Sequence, residues 1–271
     1  MKYLYVSLSL LLLLCIPFSS LRAEGYRWQR DVSYISEKDT SVYRQQRCKL
    51  DLYLPTDSKT PFKTLVWFHG GALEGGSKQV PHGLQEQGFA VAAVNYRLFP
   101  QCHFPDYLTD AAEAVAWVQS HIASLGGDSS QIYVAGHSAG GYLTLMLCLD
   151  KHYLAQFGLD ADSVRGYFPV SGQCATHYTI RKERKISTRL PLVDAAAPLN
   201  QARKLSTKLV LITGDRKLEQ MARYEENLYL KAVLEGFENP EIPLYELEGF
   251  DHGKVVEPAC LLINRLIKAA R

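Results

Sequence analysis

Short apolar runs alternate along the chain with longer stretches whose apolar residues recur every third or fourth position. The runs predict strands over residues 49–54, 64–68, 89–95, 131–135, 166–170, 208–213 and 243–247, with an edge strand over 30–35 ahead of them. Between them the longer period predicts helices over 107–125, 139–149, 218–235 and 256–270. In the first, Leu108, Ala111, Ala112, Val115, Val118 and Ile122 form one stripe. Gly126-Gly127 and Gly236 supply helix stops. Strands that are apolar on both faces, alternating with helices, imply an α/β fold with a mostly parallel sheet covered on both sides. Residues 173–206 break the alternation, being polar and basic around Arg181-Lys182-Glu183-Arg184-Lys185. They read as an excursion over the sheet's carboxyl edge, either a small lid or an ordinary surface loop.

The apolar run from Leu4 to Phe18 is preceded by Lys2 and followed by Ser19-Ser20-Leu21-Arg22-Ala23. It is shorter than the roughly 20 residues a membrane-spanning helix needs. Residues 1–23 therefore read as a signal peptide cut after Ala23, leaving 24–271 as one domain that is secreted or periplasmic. The length of 271 residues with 47% hydrophobic and 21% charged excludes a disordered chain or a multi-span membrane protein. The net charge of +2 comes from Lys2 and Arg22, since 30 basic residues less these two equal the 28 acidic ones. A neutral remainder gives no footprint for nucleic acid or, once the leader is gone, for a membrane surface. Cys48, Cys102, Cys148, Cys174 and Cys260 show no metal-like spacing, and their odd number leaves at least one unpaired in a monomer. No feature specifies an oligomeric state.

Chemistry concentrates at Gly136-His137-Ser138-Ala139-Gly140-Gly141, directly after one predicted strand and at the start of a predicted helix. A serine flanked by glycines in that context matches a nucleophile elbow. The turn must be sharp and strained, so side chains at the flanking positions would collide with neighbouring backbone. The serine then stands at a helix N-terminus, whose partial positive charge favours a developing anion. An idle serine in a glycine-rich turn is the plain alternative. Upstream, Val66-Trp67-Phe68 leads into His69-Gly70-Gly71-Ala72-Leu73-Glu74-Gly75-Gly76. Without GxGxxG or GK[ST] this loop does not read as a phosphate cradle; backbone N–H groups bare of bulky side chains suit an oxyanion hole.

These two motifs, with Asn95-Tyr96-Arg97-Leu98, Phe104-Pro105 and Asp110 between them, resemble the α/β-hydrolase esterases. The nearest branches are hormone-sensitive-lipase-like and bacterial feruloyl- or acetyl-esterase-like (BD-FAE-like). The resemblance covers nearly all of 24–271. It implies an α/β-hydrolase fold, Ser138 as nucleophile, and the N–H groups of Gly71, Ala72 and Ala139 as the oxyanion hole. The family's third glycine and tryptophan are replaced here by Ala72 and Leu73, which keeps the N–H and changes the pocket wall.

In this fold the acid and then the histidine follow the serine, which selects His252, after the last strand in Gly249-Phe250-Asp251-His252-Gly253. The acid should follow the 208–213 strand. The resemblance points to the position of Lys217, so the choice falls on Asp215 or Glu219. Asp215 is favoured as a short carboxylate at a strand end, while Glu219 is read as the beginning of a helix; Asp251 is a weaker third choice. The expected activity is hydrolysis of carboxylic esters through an acyl-enzyme, with no metal or organic cofactor. Because a histidine base must be neutral, the rate is expected to fall below about pH 6. Little chain precedes the first predicted strand, which implies an open site for short acyl groups or acyl groups on carbohydrate. The alternatives are an amide hydrolase resembling arylformamidase and a non-catalytic binding protein of the same fold.

Overall fold

The computed structural model describes residues 25–270; the leader read at 1–23 lies outside them. The strands are β1 (Tyr26–Ser33), β2 (Lys49–Pro55), β3 (Phe62–Phe68), β4 (Ala90–Val94), β5 (Gly127–His137), β6 (Gly166–Val170), β7 (Lys208–Leu209), β8 (Leu211–Gly214) and β9 (Leu244–Leu247). The helices are α1 (Val42–Arg47), α2 (Asp106–His121), α3 (Ala139–Leu149), α4 (Lys151–Ala155), α5 (Tyr178–Glu183), α6 (Arg223–Glu235) and α7 (Val256–Ala269). All the strands share one sheet in the order β1-β2-β4-β3-β5-β6-β8-β9, with β7 also on β6. β2 runs antiparallel to both its neighbours and every other pairing is parallel.

Successive side chains of a strand point to opposite faces, and here both faces are covered. Val66 and Phe68 of β3 join the core beneath α2 and α3, while Leu65 and Trp67 join the one beneath α7. The helices differ accordingly. Every residue of α3 is buried, whereas α7 buries a stripe through Ala259, Cys260, Ile263 and Ile267.

Three departures from the sequence pattern have physical causes. The strand expected over 208–213 is split at Val210. Pro169 of the neighbouring β6 has no N–H for the Val210 carbonyl, so the ladder misses one bond. The helix expected from 218 starts at Arg223, because Met221 and Ala222 hold left-handed conformations (φ 52° and 55°). The edge strand begins four residues earlier than expected, at Tyr26, and its register breaks between Gln29 and Val32, where Asp31 has φ 55°.

The 173–206 excursion is packed rather than loose. It contains α5 and a short 3-10 turn at Pro198–Gln201. The Leu199 N–H donates to the Cys174 carbonyl (3.0 Å) and the Thr176 N–H to the Leu192 carbonyl (2.8 Å). The Tyr142 hydroxyl of α3 donates to Ala196 O (2.8 Å). The five cysteines among the described residues are buried free thiols. Among the described residues no helix is long and apolar enough to cross a membrane.

Candidate active site

Ser138 sits between β5 and α3 with φ 55° and ψ −112°, a conformation costly for any residue with a side chain. Close packing enforces the turn. A Cβ on Gly136 would stand 2.5 Å from the Gly140 carbonyl, and one on Gly140 only 2.1 Å from the Phe68 carbonyl of β3. The Ser138 N–H donates to Val170 O on β6 (2.8 Å), which fixes the turn against the next strand.

His252 follows β9 and reaches across the carboxyl edge. Its Nε2 lies 2.9 Å from Ser138 Oγ and its Nδ1 lies 2.7 Å from Glu219 Oε2. The Glu219 side chain is 1% exposed. Its other oxygen accepts the Ser171 hydroxyl and the Gly214 N–H (3.0 Å). Burial pushes this carboxyl's pKa up, but hydrogen bonds from His252, Ser171 and Gly214 outweigh it and hold the pKa at about 2.

The acid favoured from the sequence is displaced by this geometry. Asp215 does not touch His252. One of its oxygens accepts the Lys217 N–H (2.8 Å) and the other the Gly249 N–H (2.9 Å), and these bonds lower its pKa, Gly249's the most. Its carbonyl accepts the N–H groups of Leu218 (2.9 Å) and Glu219 (2.8 Å). Asp215 thus winds the turn that presents Glu219 and ties it to the loop carrying His252. Asp251 is spent on its own turn, accepting the N–H groups of Gly253 (3.0 Å) and Lys254 (2.9 Å).

Gly71 and Ala72 lie in a run of positive φ (116° and 63°, with Leu73 at 62°) that turns the loop after β3 toward the serine. Ala139 is the first residue of α3. Among the described residues no acceptor takes the N–H of Gly71, Ala72 or Ala139, so all three donors are free for a ligand.

The loop is braced from several sides. The Tyr96 hydroxyl donates to His69 O (2.8 Å), and the Tyr96 ring stacks on His69 (4.5 Å between centroids). Arg47 donates to Tyr96 O (2.9 Å) and Gly76 O (2.7 Å). Arg97 grips Asp110 of α2 through two bonds of 2.8 Å, so the 95–98 motif and Asp110 act as scaffold. From the excursion, the Thr179 hydroxyl donates to Ala72 O, and Lys182 pairs with Glu74 at 2.7 Å. His137 donates from Nε2 to His252 O (2.7 Å), and burial pushes its pKa down to about 4, which keeps it neutral. Ser171, Thr179 and His137's role were not read from the sequence. His137 alone carried a signal, its place inside the serine motif. Among the described residues no group of His, Cys, Asp and Glu side chains is arranged to hold a metal ion.

Comparison with known proteins bears on the family and the fold. The BD-FAE family model matches residues 50–208. The probable isoprenylcysteine alpha-carbonyl methylesterase ICME of Oryza sativa subsp. japonica is 33% identical over 136 residues, covering 47% of this chain and 33% of that one. Esterase LipC of Mycobacterium tuberculosis is 32% identical over 123 residues, covering 42% and 30%. The chain thus spans about a third of the length of these curated relatives. A truncated carbohydrate esterase from gut microbiota has a TM-score of 0.73 at 18% identity, over 91% of this chain and 96% of that one. Esterase B from Lactobacillus rhamnosis has a TM-score of 0.70 at 19% identity, over 90% and 87%.

Proposed function

Since the chain belongs to the BD-FAE family and has the α/β-hydrolase fold, we propose that it hydrolyses carboxylic esters through Ser138, His252 and Glu219. The observation that carries this reading is the unbroken relay from Ser138 Oγ through His252 to Glu219. Ser138 Oγ bonds to the acyl carbon while His252 Nε2 takes its proton. The former carbonyl oxygen becomes negative and turns to the N–H groups of Gly71, Ala72 and Ala139, each worth ~3 kcal/mol of barrier in comparable sites. His252 returns the proton to the leaving alcohol, and water then repeats the sequence on the acyl-enzyme. Glu219 holds the Nδ1 proton and offsets the charge on the imidazolium.

The substrates in this reading carry short acyl groups or acyl groups on carbohydrate. Support comes from the segment ahead of β2, which among the described residues forms β1 and the six-residue α1 and builds no helical roof over the serine. Export belongs to the same reading and rests on the apolar run and small-residue exit of residues 1–23. N-terminal sequencing of the protein from the medium or periplasm is expected to begin at Glu24; an intact Met1 there would overturn it. For activity, a fluorophosphonate probe is expected to label the wild-type protein and not Ser138→Ala. Well-folded wild type that takes no label would end the hydrolase reading. A series of para-nitrophenyl esters from acetate to decanoate is expected to show turnover falling beyond the short chains.

A further inference from the structure

A hollow of about 590 Å³ opens at the carboxyl edge of the sheet, between the excursion and the start of α6. Gln173, Arg181, Arg189, Met221, Ala222 and Glu226 are in its walls. It adjoins the acid: Gln173 lies two residues past Ser171, and Met221 two past Glu219, the pair joined by a hydrogen bond.

Arg181 in one wall, and Arg223, the next residue after Met221 and Ala222 of another, are almost sealed from solvent. Arg181 and Arg223 are each 2% exposed. Arg181 gives its Nη1 to the Leu190 carbonyl, while its Nε and both Nε and Nη1 of Arg223 have no hydrogen-bond partner. Buried cations are retained only with an opposing charge and filled hydrogen bonds. Glu226 supplies part of this and no more. Its Oε2 already accepts the N–H groups of Cys174 (2.7 Å) and Ala175 (3.2 Å), and it stands 3.8 Å from Arg223 Nη1, beyond hydrogen-bond reach. Burial and the neighbouring Arg223 both press down on the Arg181 pKa, with Glu226 opposing them. Among the described residues Glu226 makes the one ion pair with either guanidinium, which leaves positive charge in excess at this wall. Arg189, exposed at the rim, adds to it.

Positive charge in excess and unfilled guanidinium donors fit a carboxylate, whose oxygens accept such donors. We propose that this hollow is a subsite for a carboxylate carried by the ester substrate, bound by Arg181 within the field of Arg223. The proposal rests on the reading of Ser138 as the nucleophile of an ester hydrolase, and it narrows the substrate class to anionic esters.

The test uses Ser138→Ala, which binds an ester without turning it over. Two matched pairs are titrated: mono-para-nitrophenyl glutarate against para-nitrophenyl pentanoate, and para-acetoxybenzoate against para-acetoxybenzamide. The first pair places the carboxylate on the acyl side and the second on the alcohol side. In at least one pair the carboxylate member is expected to bind about tenfold tighter or more, as a charge-assisted pair allows. Adding Arg181→Gln is expected to erase that preference, and adding Arg181→Lys to keep part of it. Equal affinities within both pairs would overturn the subsite without need of a second variant. So would a preference that survives in folded Ser138→Ala/Arg181→Gln. Wild-type turnover separates the two readings. Hydrolysis of the neutral esters with no carboxylate preference defeats the subsite alone, while the preference without any turnover defeats the hydrolase reading alone.

Discussion

Glu219 and Asp215 are four positions apart and do different work because of where their oxygens are committed. Glu219 uses its longer side chain to reach His252 with one oxygen while the other is held by Ser171 and Gly214. Asp215 has both oxygens on backbone N–H groups of the loops that carry Glu219 and His252. Glu219→Gln is therefore expected to lower kcat by about a thousandfold or more, as removing the charge and fixing the wrong tautomer does in related triads. Asp215→Asn keeps the shape of the turn and is expected to cost about tenfold or less, one weakened hydrogen bond at a distance from the chemistry. Steady-state kinetics on one ester decides it, and the reverse order of losses would return the acid to Asp215. Protonation gives a second handle. Glu219 is held at about 2, below its ordinary 4.5, so its stabilising bonds are complete above about pH 4.5 and are lost as the pH falls toward 2. Thermal unfolding of the wild type is expected to steepen in that window relative to Glu219→Gln. An identical slope in both would show that the carboxylate is not held down by the fold.

At the scale of elements, α5 shows how a short segment sets the site. Its Thr179 hydroxyl donates to the Ala72 carbonyl, orienting the loop that carries the unpartnered N–H groups of Gly71 and Ala72. Thr179→Val removes that bond while keeping the shape. It is expected to lower kcat by about tenfold, the value of one well-placed hydrogen bond, with KM little changed. A loss confined to KM would assign Thr179 to substrate binding instead. The long elements were legible in the chain because burial imposes a period on them: the strands over 64–68 and 166–170 and the helix over 139–149 stand where the apolar pattern put them. The serine, the histidine and the glycine-rich loop were legible for a related reason, since each chemistry needs a particular backbone and so a particular run of residues. What escaped is set by contacts distant in sequence. α1, α4 and α5 are too short to display a period, and α5 is held by Ala72 and Glu74 on another loop. The carboxylate that meets His252 escaped because Glu219 was read as the start of a helix, and only the left-handed pair Met221 and Ala222 delays that helix to Arg223.

Across the whole molecule, the loops of the site share a dependence on neutral histidines. Burial pushes the pKa of His69 and of His137 down to about 4 and that of His177 well below its ordinary 6.5. Each is also fixed by a hydrogen bond: His69 Nδ1 to Gly70 O at 2.6 Å, His137 Nε2 to His252 O at 2.7 Å, and the Thr179 N–H to His177 Nδ1 at 3.2 Å. They sit on the loop after β3, in the turn before Ser138 and at the head of α5, so protonating any one strikes the site and the fold together. Below about pH 6.5 the unfolded chain binds protons at these positions and the folded chain does not, so stability must fall with the pH. The contribution is complete above about pH 6.5 and, for His69 and His137, is lost as the pH drops toward 4. For His69 and His137 the depression corresponds to on the order of 3 kcal/mol each. Acid destabilisation of this protein is therefore expected to begin near pH 6.5, above the range where Glu219 titrates. Urea midpoints measured from about pH 7.5 to 4.5 are expected to fall steadily in the wild type, and to fall less in His177→Gln, which removes one of the three groups. A wild-type midpoint that stays flat down to about pH 5 would mean that these histidines can take up protons in the folded protein, and the site would then have no such acid limit.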